Sequence, residues 1–396
     1  MKNPVQLLVT FLFGTALLGC GQSPESATES RTGELPKENT ITLELIASLE
    51  SFGDHYISGI RTPMPASNGD IIISEFGAQQ LFRISADGEL LQTIGRDGRG
   101  PGEFQSIYSL LMAPGDSLHV FDINNSRHQV FGTDGESWSY ARELERMRPN
   151  AGTEGLKYFA PGRVFEAKGE LFGLFRNHIV FGDTATMYQS WIGRVNNNLQ
   201  PADDEVVLLK TGEDALVIRM DNRGIVTNTH PFSYRLFRNW NESEQLLVEV
   251  SNESAELRHY TIDGELIRSV QLPYEKLEAD AAARLDYERQ MSEYGSDVVQ
   301  LARSKYLPFE PLIRQFIADD EGRYWMQMSR TDTNSPNWIV FNATGEILGA
   351  ITFHVDYEAG TATMPMLIHN NSLYAMHYEE FEPSFRVFDI AFGNLE

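Results

Sequence analysis

The residue types able to do chemistry are thinly spread along this chain, and few of them sit at useful spacing. His119, Asp122 and His128 bring two imidazoles and a carboxylate into one short stretch. A shared metal site would need them on one side of a strand, but His119 and Asp122 are three positions apart and so point to opposite faces. Gly95 to Gly102 is glycine-rich, yet it lacks the lysine and the helix start that aim backbone N–H groups at phosphate, so it reads as a turn between strands. Asp319-Asp320-Glu321-Gly322 lacks the alternating ligands and the terminal bidentate glutamate of a calcium loop, and reads as a turn before Tyr324. Arg142, Arg146 and Arg148, ahead of Pro149, could grip an anion, or could pair with Glu143 and Glu145 on a solvated loop. H-E-x-x-H, G-x-S-x-G and G-x-x-x-x-G-K-[ST] are absent. No catalytic residue, no metal ligand and no cofactor is therefore assigned.

Composition narrows the classes further. The 396 residues include 32 Lys+Arg against 56 Asp+Glu, a formal charge of −24, which argues against a nucleic-acid partner because phosphate affinity comes from basic side chains. The same balance keeps the folded part off anionic lipid. With 41 % hydrophobic and 11 % aromatic residues the chain has ample material for a core. Its one cysteine, Cys20, rules out an internal disulfide and a Cys-based zinc or redox site.

Cys20 follows an apolar run, Val5 to Leu18, that begins just after Lys2. The run is shorter than the roughly 20 residues of a membrane-spanning helix, so residues 1–19 read as a signal peptide. Its end, Leu17-Leu18-Gly19-Cys20, resembles the lipobox of bacterial lipoproteins, with Leu18 in place of the small residue commonest there. That resemblance implies cleavage before Cys20, lipidation of its thiol, and a membrane partner reached through the anchor. Gly21 and Gln22 lack the aspartate linked in such proteins with inner-membrane retention, which implies the outer membrane where the cell has one. Residues 20–39, rich in Ser, Thr, Glu, Pro and Gly with a single Leu, read as a lipidated cysteine and a disordered tether.

From residue 40 to 396 one unit recurs: apolar strand, turn, second strand, Gly turn, third strand. It is clearest in Ile71-Ile72-Ile73, Leu81-Phe82-Arg83-Ile84, Asp87-Gly88 and Leu90 to Ile94. It returns at Leu118 to Asp122 with Asp134-Gly135, at Leu246 to Val248 with Asp263-Gly264, at Tyr324 to Met326 with Thr344-Gly345, and at Leu373 to Met376 with Phe385 to Ile390. A degenerate copy lies near Leu171 to Phe175 and Trp191 to Val195. Asp-Gly and Thr-Gly supply the positive φ of a tight hairpin, so each unit is an antiparallel meander. A single meander cannot bury both its faces, whereas six packed around an axis can, so the fold class is all-β, a six-bladed β-propeller. The unassigned strand Thr40 to Ile46 is expected to complete the last blade and hide two edges. Residues 274–307 break the strand pattern with helical spacing at Leu277, Ala281 and Leu285, then Val298, Leu301 and Ala302, interrupted at Gly295. Two short helices on one propeller face are expected there, either as a lid or docking element or as a cover for a sheet edge or the channel.

The stretch Ile94 to Phe104, followed by Leu118 to Phe131, resembles the NHL-type repeat. Pro311 to Trp325 and His230-Pro231-Phe232-Ser233 are similar to a group of bacterial six-bladed β-propeller lipoproteins. The resemblance implies fold and envelope location, and carries no shared activity. The functional expectation is a membrane-anchored, extracytoplasmic binding or interaction module for an envelope protein or small molecule. The alternative is a metal-dependent hydrolase or lyase, lactonase-like or amidating-lyase-like, with its site in the central channel.

Overall fold

The computed structural model describes residues 28–30 and 34–393, apart from 62, 76, 123, 126, 145–160, 182–184, 214, 221–223, 275, 330–334 and 357–358. The chain folds as a six-bladed β-propeller. Each blade is a four-stranded antiparallel meander counted outward from the axis. Blade 1 is Met64–Pro65, Ile71–Ser74, Leu81–Ile84 and Leu90–Ile94; blade 2 is Ile107–Ala113, Ser117–Asp122, Arg127–Thr133 and Trp138–Leu144. Blade 3 is Arg163–Ala167, Glu170–Phe181, Ala185–Val195 and Pro201–Glu213; blade 4 is Leu236–Asn241, Leu246–Ser251, Glu256–Tyr260 and Leu266–Gln271. Blade 5 is Ile313–Ala318, Tyr324–Met328, Trp338–Phe341 and Ile347–Ile351. Blade 6 takes Thr361–His369, Ser372–Glu379 and Glu382–Phe392 from the end of the chain and its outermost strand, β2 (Ile41–Leu49), from near the beginning.

The apolar runs in the sequence follow from this arrangement, because a blade is covered by a neighbour on each side. In blade 1, Ile71 and Ile73 pack toward Phe385 and Val387 of blade 6, while Ile72 packs toward Leu118 and Val120 of blade 2. In blade 5, Tyr324 and Met326 face blade 4 and Trp325 faces blade 6. Phe121 of blade 2 meets Trp191 of blade 3, and Phe165 of blade 3 stacks on Trp240 of blade 4 at 4.5 Å. Apolar clusters thus fill every interface around the ring, which is why alternation is lost in the middle strands.

Closure is as the sequence implies. β2 runs antiparallel to Glu382–Phe392, from Ile41 opposite Phe392 to Leu49 opposite Phe385. Thr40 adds a bond from its N–H to the Ala350 carbonyl at 2.8 Å, and Ile41 is buried against Gly349 at the border of blades 5 and 6.

Two parts of the stretch 20–39, expected as a tether, lie against the ring among the described residues. β1 (Thr28–Ser30) pairs in parallel with the outermost strand of blade 4, Thr28 opposite Ser269 and Ser30 opposite Gln271. Leu35, the single leucine of the stretch, is buried among Val248, Val270 and Tyr324 in the core between blades 4 and 5. An open strand edge supplies unmade hydrogen bonds, and a buried leucine contributes about 2 kcal/mol, so polar composition alone did not decide the outcome. The signal peptide and Cys20 lie outside the described residues.

Blade 3 also departs from the repeat. Its second and third strands pair from Leu171 opposite Val195 to Phe181 opposite Ala185, well past the length of the other blades. A separate hairpin, Ala215–Met220 with Gly224–Thr229, follows its last strand.

Candidate functional site

A meander that starts at the axis sorts its connections between two faces. Turns from first to second strand and from third to fourth lie on one face, and on it the chain makes tight turns at residues of positive φ such as Gly88 and Gly345. At Gly345 (φ +78°) a Cβ would stand 2.5 Å from Val270 Cγ1, so side chain and space both favour glycine. Links from second to third strand, and from each blade to the next, lie on the other face. That face holds the elongated hairpin of blade 3, the hairpin at 215–229, the glycine-rich loop before Ile107 and the helical insertion.

The insertion forms two helices, α1 (Ala281–Met291) and α2 (Ser296–Ser304), joined by a 3₁₀ turn and by Gly295 at φ +119°. Asp280 caps α1 by accepting the Ala283 N–H at 2.9 Å. Both helices sit on the loop His230 to Ser233 that leads into the innermost strand of blade 4. His230 Nε2 donates to the Ala302 carbonyl at 2.9 Å, and the Leu307 N–H donates to the Phe232 carbonyl at 2.9 Å. The rings of His230 and Phe232 each meet Tyr287 and Tyr306 edge-on, at 5.3 to 5.8 Å. Arg284 lies 4.9 Å from the Tyr306 ring and 5.5 Å from that of Phe232, and donates to the carbonyls of Leu307 and Phe309. Burial raises the Tyr306 hydroxyl pKa to about 12 and raises that of Tyr287 as well. The insertion is therefore a fixed wall with its own core, held by both stems.

The innermost strands supply the groups beside this wall. Strand irregularities place Tyr108 and Arg314 out of the ladder, between Ile107 and Ser109 and between Ile313 and Gln315. Tyr108 is 48 % exposed. Arg314 donates to Glu310 at 2.5 Å, to the Pro231 carbonyl at 3.2 Å and to Ser329 Oγ at 3.1 Å. The stretches around His230 and Arg314, quoted separately in the sequence, thus touch. Arg235 stands 4.9 Å over the Phe237 ring and donates to the Arg314 carbonyl at 3.5 Å. Arg61, at the same end of blade 1, has its guanidinium pKa lowered by burial, with Tyr108 opposing the shift. Burial raises the Tyr234 hydroxyl pKa, with Glu249 adding to the effect. Arg61, Tyr108, Tyr234 and Arg235 were not singled out from sequence. The signal that could have found them is the recurrence of Arg or Tyr where an innermost strand begins.

His119 and His128 bond Nδ1 to Nε2 at 2.8 Å and are buried, while Asp122 turns away to accept the N–H groups of Gln105, Ser106 and Asn125. Burial lowers the two imidazole pKa values to about 4 and about 3. In the glycine-rich loop, Glu103 accepts the Gly100 N–H at 2.7 Å and bonds Arg96, so the loop carries its own anion. Asp319 accepts the N–H groups of Glu321 and Arg323, the Arg323 guanidinium and the Trp325 indole, which makes it a turn. Glu143 pairs with Arg127; Arg142 is exposed on its strand, and Arg146 and Arg148 lie outside the described residues. Among the described residues no three His, Cys, Asp or Glu side chains come together, and no helix is long and apolar enough to cross a membrane.

No protein-family model matches the chain, and no curated protein sequence does. Among solved structures it is similar to an exported-protein candidate of Bacteroides fragilis (10 % identity, 93 % of this chain, 99 % of that one, TM-score 0.49). It is also similar to a DUF4221 family member from Bacteroides vulgatus (13 %, 90 % and 100 %, 0.48). A third is virginiamycin B lyase from Staphylococcus aureus (10 %, 88 % and 99 %, 0.40). Likenesses of this size say nothing of activity, and the fold rests on the chain's own strand order.

Proposed function

We propose that this chain is a lipid-anchored β-propeller lipoprotein of the cell envelope, NHL-like in its repeats, that binds the anionic groups of a ligand on the face bearing its insertions. The observation that carries this reading is the inequality of the two faces. Turns on one are short, two to five residues between strands, while the other bears two helices, an elongated hairpin and a second hairpin beside Arg61, Tyr108, Tyr234, Arg235 and Arg314. Elaborated loops on a rigid scaffold are where binding groups concentrate. Guanidinium and phenol groups on a chain of net charge −24 favour a ligand that presents carboxylate, phosphate or sulfate. Cys20 supplies the membrane attachment, with the outer membrane as its destination where one exists. The alternative, a metal-dependent hydrolase or lyase in the channel, has no group of described residues in its favour; stoichiometric calcium or zinc in the purified protein would revive it.

Thermal-shift titration of the mature protein with organic carboxylates, phosphates and sulfates at fixed ionic strength tests the binding reading. One class is expected to raise the melting temperature by several degrees in a saturable way. The double variant Arg61→Ser/Arg235→Ser is expected to lose that rise. No response to any class, or an equal response in the variant, contradicts the reading.

A further inference from the structure

The beginning of the described chain runs around the outside of the ring. β1 lies on the edge of blade 4, Leu35 fills the core between blades 4 and 5, Asn39 and Thr40 bond Thr352 and Ala350 of blade 5, and β2 completes blade 6. The chain therefore straps three consecutive blades before the first blade begins. Only eight peptide steps separate Cys20 from Thr28, so even fully extended chain spans at most roughly 29 Å between the lipid attachment point and the rim. A leash free up to residue 39 would reach roughly 68 Å, nearly two and a half times as far.

We infer that the strap fixes how the propeller meets the bilayer: blade 4 faces the lipid surface rim-first, and the elaborated face stays open to the surrounding solvent. The occupant of the blade 4 rim is the lipid headgroup layer, set there by the length of chain outside the fold and by where that chain joins it. The rim's chemistry agrees. Ile267 on the outermost strand of blade 4 is 48 % exposed, Tyr274 just beyond it is 41 % exposed, and Lys276 follows, a set that suits the interface between headgroups and acyl chains. Leu91, on the outermost strand of blade 1, is 44 % exposed and lies on the opposite side of the six-membered ring.

The placement rests on the lipid-anchor reading, and one experiment separates the two. The mature fold contains no other cysteine than Cys20, which acylation blocks, so Ile267→Cys or Leu91→Cys adds a single labelling site to the full chain. The lipidated protein carrying an environment-sensitive fluorophore is reconstituted into zwitterionic phosphatidylcholine vesicles with a headgroup-attached quencher. Flotation of the wild type and loss of flotation in Cys20→Ser support the anchor; a wild type that does not float overturns the anchor and the placement together. Given flotation, quenching at position 267 is expected to exceed that at position 91 at least threefold. Leu35→Asp combined with Thr28→Pro and Ser30→Pro, which releases the strap from its core site and from the edge of blade 4 while leaving β2 paired, is expected to bring the ratio toward one. Equal quenching at both positions in a floating wild type overturns the strap placement and leaves the anchor standing. A ratio unchanged by the combined variant also overturns it.

Discussion

At the scale of single residues, the imidazoles that first suggest chemistry are the ones the fold hides most completely. His119, His128 and His259 are fully or almost fully buried, and burial lowers their pKa values from 6.5 to about 4, about 3 and about 3. The unfolded chain then takes up protons first on acidification, so their stabilising neutrality is fully present above about pH 6.5 and is lost as pH falls toward 4 and 3. His259 lies 3.5 Å from the Tyr324 hydroxyl and 4.0 Å from Glu244, with Arg268 lowering its pKa further. Chemical denaturation at pH 7 and pH 5 should show His259→Gln losing about 2 kcal/mol of the acid-dependent destabilisation. An unchanged pH slope would mean that His259 is not held neutral. His119 and His128 touch, so they are expected to contribute as one coupled pair.

Among elements, the middle strands were legible and the innermost ones were not. Ile71-Ile72-Ile73 and Tyr324-Trp325-Met326 are apolar on both sides because two blades cover them, and the following Asp87-Gly88 and Thr344-Gly345 mark the turns. Innermost strands offer no such run: Pro65 and Pro365 interrupt two of them, and irregularities at Tyr108 and Arg314 shift two more out of phase. The candidate site was hidden for the same reason, since it is assembled from strand beginnings and loops of separate blades. The elongated hairpin of blade 3 escaped notice because Arg176 to Tyr188 mixes polar and apolar residues without a strict period. The helices were legible from their spacing and from Gly295. Arg284→Ala removes the cation from the aromatic cluster under them and should cost about 1–2 kcal/mol, read as faster proteolysis within 281–304 with little change in the melting of the ring. Melting of the whole ring with the insertion would show instead that the two are one cooperative unit.

For the molecule as a whole, closure by β2 makes the beginning of the fold indispensable to its end. Deleting residues 40–48 opens blade 6 and exposes edges on either side of the seam, and should lower the melting temperature sharply. Ile41→Ala, at the same seam, is expected to cost about 2–4 kcal/mol. An unchanged melting temperature in either variant would contradict closure. The polar stretch before β2 carries the wider lesson: low hydrophobicity suggests a free leash, yet one leucine and one open strand edge suffice to dock part of it. The acidic balance acquires a direction too, because the guanidinium groups of Arg61, Arg235 and Arg314 gather on the face that bears the insertions, on a chain otherwise dominated by carboxylates. Which face works is the central claim, and site-specific photo-crosslinking in intact cells measures it most directly. A benzophenone amino acid replacing exposed Tyr108 on the elaborated face is expected to trap a discrete adduct, while the same group replacing exposed Glu136 in a turn of the plain face traps none. Adducts at Glu136 alone, or the same adduct at both positions, would contradict the account.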